Sequence, residues 1–339
     1  MTAAAPPERS RLEAIVDRFS GRRVAVLGDL VADEFVHGDI ARISREAPVL
    51  ILEHRRTLVV PGGGGNAVAN LRALDAFPLP VGVVGRDEAG NRLLDHFRRT
   101  GVPVRNVVVA RGYDTPSKSR ILAGGVHTRT QQIVRIDRGA AHGEIPRPVR
   151  AELAARLARA VRGAEGLLVA DYGYGAASPP ILRSLGPSRG ITTTVDSRGR
   201  AAMFRGAAAC TPNQEELERA VGADSLGSAR AVEQAARELL RRSGDRAVLV
   251  TRGARGMCLV ERRRPPIHIP AFGEGEVADV TGAGDTVIAT FTLALLSGAT
   301  FAEAAFVANL AAGLVVMKYG TATVGRAELR SALREACRR

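Results

Sequence analysis

Asp279-Val-Thr-Gly-Ala-Gly-Asp-Thr286 joins residue types and spacing that can move a phosphoryl group. The almost wholly apolar residues 287–296 follow it and read as a buried helix. Gly282 and Gly284, flanking Ala283, let backbone N–H groups converge at the helix start, where the helix dipole favours negative charge. That makes an anion site, and Asp285 lies inside it. A carboxylate repels phosphate, so its placement there suits proton transfer instead, from a hydroxyl that attacks the phosphorus. By itself, Gly-x-Gly-Asp is equally met by a capping Asp ahead of a buried helix.

Two further segments bear on that choice. In Thr211-Pro-Asn-Gln-Glu-Glu216, Asn213 and Glu216 lie one helical turn apart. They could jointly orient a hydrated Mg²⁺, which prefers oxygen ligands and keeps waters. The same spacing makes an N-terminal cap with acidic first-turn residues. Thr251-Arg-Gly-Ala-Arg-Gly256 ends an apolar run and could line a nucleotide phosphate groove, or be a simple hairpin turn.

In chain order with Gly28-Asp-Leu-Val-Ala-Asp33 and Pro61-Gly-Gly-Gly-Gly-Asn66, these segments make the sequence resemble the ribokinase-like (PfkB) carbohydrate kinases over nearly its whole length. Within that family it is most similar to the D-glycero-β-D-manno-heptose 7-phosphate kinases. Ser44-Arg-Glu-Ala-Pro-Val49, Gln131-Gln-Ile-Val-Arg-Ile-Asp137 and the segment from Asn309 to Val324 carry that closer match. The resemblance implies an α/β fold, with a Rossmann-type parallel sheet covered by helices on both faces and a small β-sheet lid. It implies ATP around Asn213, Glu216, Thr251, Gly253, Gly256, Asn309 and Gly313, with Gly282, Ala283 and Gly284 at the transferred phosphoryl and Asp285 as base. Glu216 would hold Mg²⁺ through water, and Asp279 and Thr281 a monovalent cation, K⁺. The sugar would meet Asp33, Gly63, Asn66, Asp171, Lys118, Arg120 and Arg135, with its distant phosphate expected at Lys118 together with Arg120 or Arg135. The implied reaction is ATP-dependent phosphorylation of the anomeric 1-hydroxyl of the heptose 7-phosphate. A kinase of another sugar, sugar phosphate or nucleoside is the alternative within the family. A non-catalytic sugar- or nucleotide-binding regulator on the same fold is an alternative of another class.

Lys118 stands out by composition. Only Lys118 and Lys318 are lysines among 48 basic residues, so a compact ammonium at 118 reads as required, while Lys318 reads as structural. Tyr174, in Asp171-Tyr-Gly-Tyr-Gly175, occupies a position where heptose kinases usually carry lysine. That removes a cation near the sugar phosphate, and Arg198 in Asp196-Ser-Arg-Gly199 could replace it. Bifunctional relatives add a nucleotidyltransferase domain. No His-x-Gly-His occurs among the six histidines, so adenylyl transfer is expected to belong to another protein.

The elements that must position these residues follow from periodicity. Apolar runs at 23–28, 81–85, 166–170, 191–195, 208–211 and 246–251 read as strands, and 256–260 with 267–269 as a hairpin. Helical patterns at 66–74, 89–100, 150–162, 179–185, 214–221, 228–243, 286–296, 301–319 and 326–336 alternate with them, which predicts a parallel sheet covered on both faces. Insertions near 34–60 and 105–137, with alternating segments at 117–122 and 131–137, predict a separate antiparallel sheet. One kinase domain is expected over residues 1–339, paired with a second copy through the lid.

The 339 residues carry a net charge of +13, yet the arginines are scattered and only 4% of residues are aromatic, so no nucleic-acid partner is expected. Three distant cysteines exclude a disulfide framework. No membrane span and no signal-like N-terminus is evident, so a cytoplasmic protein is expected.

Overall fold

The computed structural model describes residues 8–124, 130–139, 145–186, 190–273, 278–318 and 320–336. The tail before residue 8, part of the second insertion (125–129), most of the connection before residue 145, Tyr319 and Cys337 lie outside the described residues.

The chain begins α1 (Arg9–Asp17), β1 (Arg23–Gly28), β2 (Leu30–Ile43), β3 (Leu50–Gly63), α2 (Gly64–Ala73), β4 (Phe77–Gly85), α3 (Glu88–Arg99) and β5 (Val107–Ala110). It continues β6 (Ser117–Gly124), β7 (Gln131–Arg138), α4 (Arg147–Arg162), β8 (Gly166–Asp171), α5 (Pro179–Arg183), β9 (Thr192–Ser197) and β10 (Ala209–Cys210). The last part is α6 (Gln214–Val221), α7 (Ala229–Ser243), β11 (Ala247–Thr251), β12 (Met257–Glu261), β13 (Ile267–Ile269), α8 (Ala283–Leu296), α9 (Phe301–Val316) and α10 (Arg326–Ala336).

Nine strands form the main sheet in the order β13-β12-β11-β10-β9-β8-β1-β4-β5. All pairs from β11 to β5 are parallel, and β12 and β13 add an antiparallel edge. The apolar run of β1 serves both faces. Val24 and Val26 join the core beneath α1, α2, α3, α8, α9 and α10, while Ala25 and Leu27 join the core beneath α4, α5, α6 and α7. Burial on both faces is why parallel strands read as continuous apolar runs. Cys210 and Cys258 are free thiols in the second core. Among the described residues, no helix is long and apolar enough to cross a membrane.

Strand β4 starts earlier than the apolar run at 81–85 suggests, because it includes Pro78 and Pro80. Residues 77–81 pair with β1 and residues 82–85 with β5. The prolines therefore stand where β4 has a single neighbour, and their missing N–H groups leave the ladder intact.

The second sheet has the order β3-β2-β6-β7. It departs from expectation in two ways. Its central pair, β2 with β6, is parallel, and only β2–β3 and β6–β7 are antiparallel. In addition, β5 belongs to the main sheet beside β4. The two departures share a cause. Strands β2 and β6 follow the parallel strands β1 and β5, so both leave the same edge of the main sheet in the same sense.

The glycine run is a contact surface. A Cβ on Gly28 would lie 2.8 Å from the Gly64 Cα, and one on Gly64 would lie 2.6 Å from the Gly28 Cα. Helix α2 can begin against the end of β1 only because both residues lack side chains.

Candidate active site

Asp285 lies in the first turn of α8, 2% exposed, with one donor on each carboxylate oxygen. The Asn66 amide donates to Oδ2 at 2.9 Å, and the Tyr172 hydroxyl donates to Oδ1 at 2.8 Å. Asn70 fixes the direction of Asn66 by donating to its Oδ1 at 3.2 Å, and Thr286 in turn donates to Asn70 Oδ1 at 2.9 Å. The N-cap Gly282 has φ +83°, and a Cβ there would lie 2.5 Å from the Asn66 amide nitrogen. Burial pushes the Asp285 carboxyl up to about 7. Asn66 and Tyr172 pull it down, Asp33 pushes it up and Arg198 pulls it down. A base poised near neutrality suits proton transfer from a hydroxyl. Among the described residues, no atom outside this turn of α8 lies within 4 Å of where a Gly284 Cβ would be, so the backbone at this helix start is open to a ligand.

The segment after β8 is organised by Asp29, the single residue between β1 and β2. Asp29 is 1% exposed and accepts from four backbone N–H groups: Tyr172 and Tyr174 on Oδ2, Ala176 and Ala177 on Oδ1. Burial and the Asp171 charge push its carboxyl up to about 6 against those hydrogen bonds. Asp171 accepts from Ser197, Arg200 and the Gly173 N–H. Its carboxylate therefore braces the ends of β8 and β9.

The lid residues meet across adjacent strands. Asp33 pairs in register with Lys118, Phe35 with Arg120, Lys118 with Asp137 and Arg120 with Arg135. Alternation puts these six on one face of the sheet. The Lys118 ammonium lies 3.1 Å from Asp137 Oδ2 and 3.3 Å from the Tyr174 hydroxyl. Arg120 donates to Asp33 Oδ1 at 2.8 Å, and Arg135 contacts Asp137 at 2.9 Å. Burial raises the Asp137 carboxyl, but Lys118 and Arg135 outweigh it and hold the group below its ordinary value. The three cations expected to hold phosphate thus converge, with two carboxylates already among them. A Cβ on Gly62 would lie 2.3 Å from Asp33 Oδ2, whereas one on Gly63, at φ +54°, would meet the Asp29 carbonyl at 2.8 Å.

Along the carboxyl edge of the main sheet, Asn213 and Thr251 form an isolated bridge between the chain after β10 and the end of β11. Asn213 caps α6: its Oδ1 accepts from the Glu216 N–H, and Glu216 Oε2 accepts from the Asn213 N–H. Burial, then the charges of Glu216 and Asp285, push Asp196 well above its ordinary range, and burial also raises Glu216. Two carboxylates raised together suit a divalent cation, which would relieve their repulsion. Arg198 lies 4.4 Å from the Tyr172 ring centre and lowers Asp285, Asp196 and Glu216 together.

Gly253 and Gly256 both adopt positive φ in the turn after β11. A Cβ on Gly256 would lie 2.0 Å from the Ile269 carbonyl. Asn309 donates to the Pro270 carbonyl at 2.8 Å, and a Cβ on Gly313 would lie 2.4 Å from the Phe272 carbonyl. Both therefore seat residues 270–272 against α9. Asp279 accepts from the Thr281 and Gly320 N–H groups, which closes the loop ahead of α8. Lys318 donates to the Thr323 carbonyl and Glu328, a structural use.

Sequence reasoning missed Asp29, Tyr172 and Asp196 as site residues. The signal available was position: each lies at or just past the carboxyl end of an apolar run, where ligands bind in open α/β sheets.

A family model described as pfkB family carbohydrate kinase matches residues 23–327. Bifunctional protein HldE of Paramagnetospirillum magneticum is 40% identical over 330 residues, covering 96% of this chain and 66% of that protein. Bifunctional protein HldE of Mesorhizobium japonicum is 41% identical over 339 residues, covering 97% and 65%. The chain thus spans just under two thirds of the length of these relatives. Arabidopsis thaliana ribokinase, solved with ribose and ATP, superposes with a TM-score of 0.72 at 20% identity, covering 93% of this chain and 99% of that one. Escherichia coli phosphofructokinase-2, solved with fructose-6-phosphate, gives 0.72 at 19% identity, covering 93% and 99%. At these identities the two structures speak for the fold alone.

Proposed function

Because the chain belongs to the pfkB family of carbohydrate kinases, we propose that it transfers the terminal phosphoryl group of ATP to the anomeric 1-hydroxyl of D-glycero-β-D-manno-heptose 7-phosphate. The observation that carries the chemistry is Asp285, buried at the open N-terminus of α8 between Asn66 and Tyr172. The sugar hydroxyl gives its proton to Asp285 as its oxygen bonds to phosphorus, and the bond from phosphorus to the ADP oxygen breaks. N–H groups at the start of α8 stabilise the charge on the transferred group. Mg²⁺, when bound, neutralises phosphate charge; Glu216 would hold it through water, with Asp196 beside it. K⁺ is proposed at the loop of Asp279 and Thr281, and one phosphofructokinase-2 structure of the same fold contains potassium.

The heptose 7-phosphate assignment rests on the sequence resemblance, and the convergence of Lys118, Arg120 and Arg135 supports an anionic substrate. One observation favours a second reading, a family kinase acting on a less charged sugar: Asp33 and Asp137 already neutralise much of that cluster. A panel comparing heptose 7-phosphate with unphosphorylated heptose separates the two. Equal kcat/KM for both would end the 7-phosphate reading.

A homodimer through the lid is proposed as well. Ile40, Ile43, Leu58, Ile133, Val134 and Ile136 are exposed apolar side chains of the second sheet, and a second copy would cover them. Light scattering at micromolar concentration tests this, and a monomer there would end the claim.

A further inference from the structure

The residues that hold Asp285 carry one step beyond its reading as base, on which this inference rests. We infer that Tyr172 is a positioning residue for the proton transfer, its hydroxyl fixing one oxygen of Asp285 and holding the carboxylate in its proton-accepting form.

Both oxygens of the carboxylate already have a donor. The hydroxyl donates to Oδ1 at 2.8 Å, while Oδ2 is taken by Asn66 at 2.9 Å. Each carboxylate oxygen can accept more than one hydrogen bond, so each keeps a lone pair for an incoming hydroxyl. The Tyr172 ring lies under the Arg198 guanidinium, 4.4 Å from its centre. The Tyr172 backbone N–H is held at 2.9 Å by Asp29 Oδ2. Ring and main chain are therefore fixed independently of the hydroxyl.

The phenol acts in one direction. Burial, then the charges of Asp285 and Asp196, push it well above its ordinary value, so it stays protonated and donates. Among the described residues, the charges of Asp33 from β2 and Arg198 after β9 act on Asp285, and Asp285 in turn raises the acidic Asp196 of β9. Burial and Asp33 disfavour the carboxylate; Arg198 and the donors Asn66 and Tyr172 favour it. Removing one of these donors weakens what favours the carboxylate, and the carboxyl must titrate at a higher pH. A residue that merely filled space would lower turnover equally at every pH.

The test is the pH dependence of kcat for the wild type, Tyr172→Phe and Asp285→Asn. The phenylalanine keeps the ring beneath Arg198 and removes only the hydroxyl. Tyr172→Phe should lose about tenfold in kcat near pH 6 and recover to within about threefold of wild type near pH 9, a shift of about one unit in the acid limb. An acid limb at the wild-type position, with turnover scaled down uniformly or unchanged, overturns the inference. If Asp285→Asn keeps turnover, the reading of Asp285 as base fails, and this inference fails with it. If Asp285→Asn abolishes turnover and the Tyr172→Phe limb stays put, this inference fails alone. Titration of the Asp285 carboxyl ¹³C resonance in wild type and Tyr172→Phe reads the same shift without turnover.

Discussion

The Lys118 ammonium lies 3.3 Å from the Tyr174 hydroxyl and 5.8 Å from the centre of its ring. In the sequence these two residues pull apart, one a retained lysine and the other a tyrosine at a position where the resemblance implies lysine. In the structure they are one contact. Tyr174 is 7% exposed and Asp29 holds its backbone, so it offers Lys118 a fixed apolar wall with a polar tip. A cation held this way between Tyr174 and Asp137 has a fixed direction in the free protein.

Lys118→Ala is expected to raise KM for the phosphosugar by about tenfold, the loss of one charge-assisted contact, and to leave KM for ATP within about twofold. Its KM for unphosphorylated heptose should barely move. A similar rise for both sugars would place Lys118 away from the phosphate.

Asp285→Asn is expected to lower kcat by about a hundredfold to ten-thousandfold, the range for a lost general base. ATP binding, measured by calorimetry, should persist. Turnover within about threefold of wild type would remove Asp285 from the chemistry.

The wild-type pH profile should carry an acid limb at about 7, where burial has pushed the Asp285 carboxyl. The sign follows from the role: a base acts when deprotonated, so kcat falls below that pH and is flat above it. An acid limb near the ordinary carboxylate range would show that a different group limits the rate.

Gly284→Ala tests the open helix start. Among the described residues, no atom outside this turn of α8 lies within 4 Å of the added methyl group, and alanine stabilises a helix by about 0.5–1 kcal/mol over glycine. Thermal stability should hold or rise slightly while KM for ATP increases several-fold, because the methyl group occupies the approach to the N–H groups. Unchanged ATP kinetics would mean that phosphate does not approach there.

A chelator should abolish turnover and added Mg²⁺ should restore it. In Glu216→Gln the Mg²⁺ concentration giving half-maximal rate should rise about tenfold, as one of two neighbouring carboxylates loses its charge. Equal Mg²⁺ dependence in wild type and variant would reduce Glu216 to its capping contact with Asn213.

Local signals along the chain determined a good part of this protein. The alternation of apolar runs and helical patterns foretold a parallel sheet covered on both faces, and Gly282-Ala-Gly-Asp285 before an apolar stretch put a carboxylate at a helix start. Those inferences need only neighbours in sequence, because strand burial and helix capping are set within a few residues. Tertiary structure decided which distant groups meet. Tyr172 and Asp285 are 113 residues apart, and Asp29 and Tyr172 are 143 apart. Their meeting depends on β1 lying beside β8 in the main sheet. Likewise the parallel register of β2 with β6 set Asp33 beside Lys118, and an antiparallel lid would have made other pairs. The position of the Asp285 carboxyl near neutrality was decided there too, because it follows from how completely surrounding segments exclude water, which no stretch of sequence specifies alone.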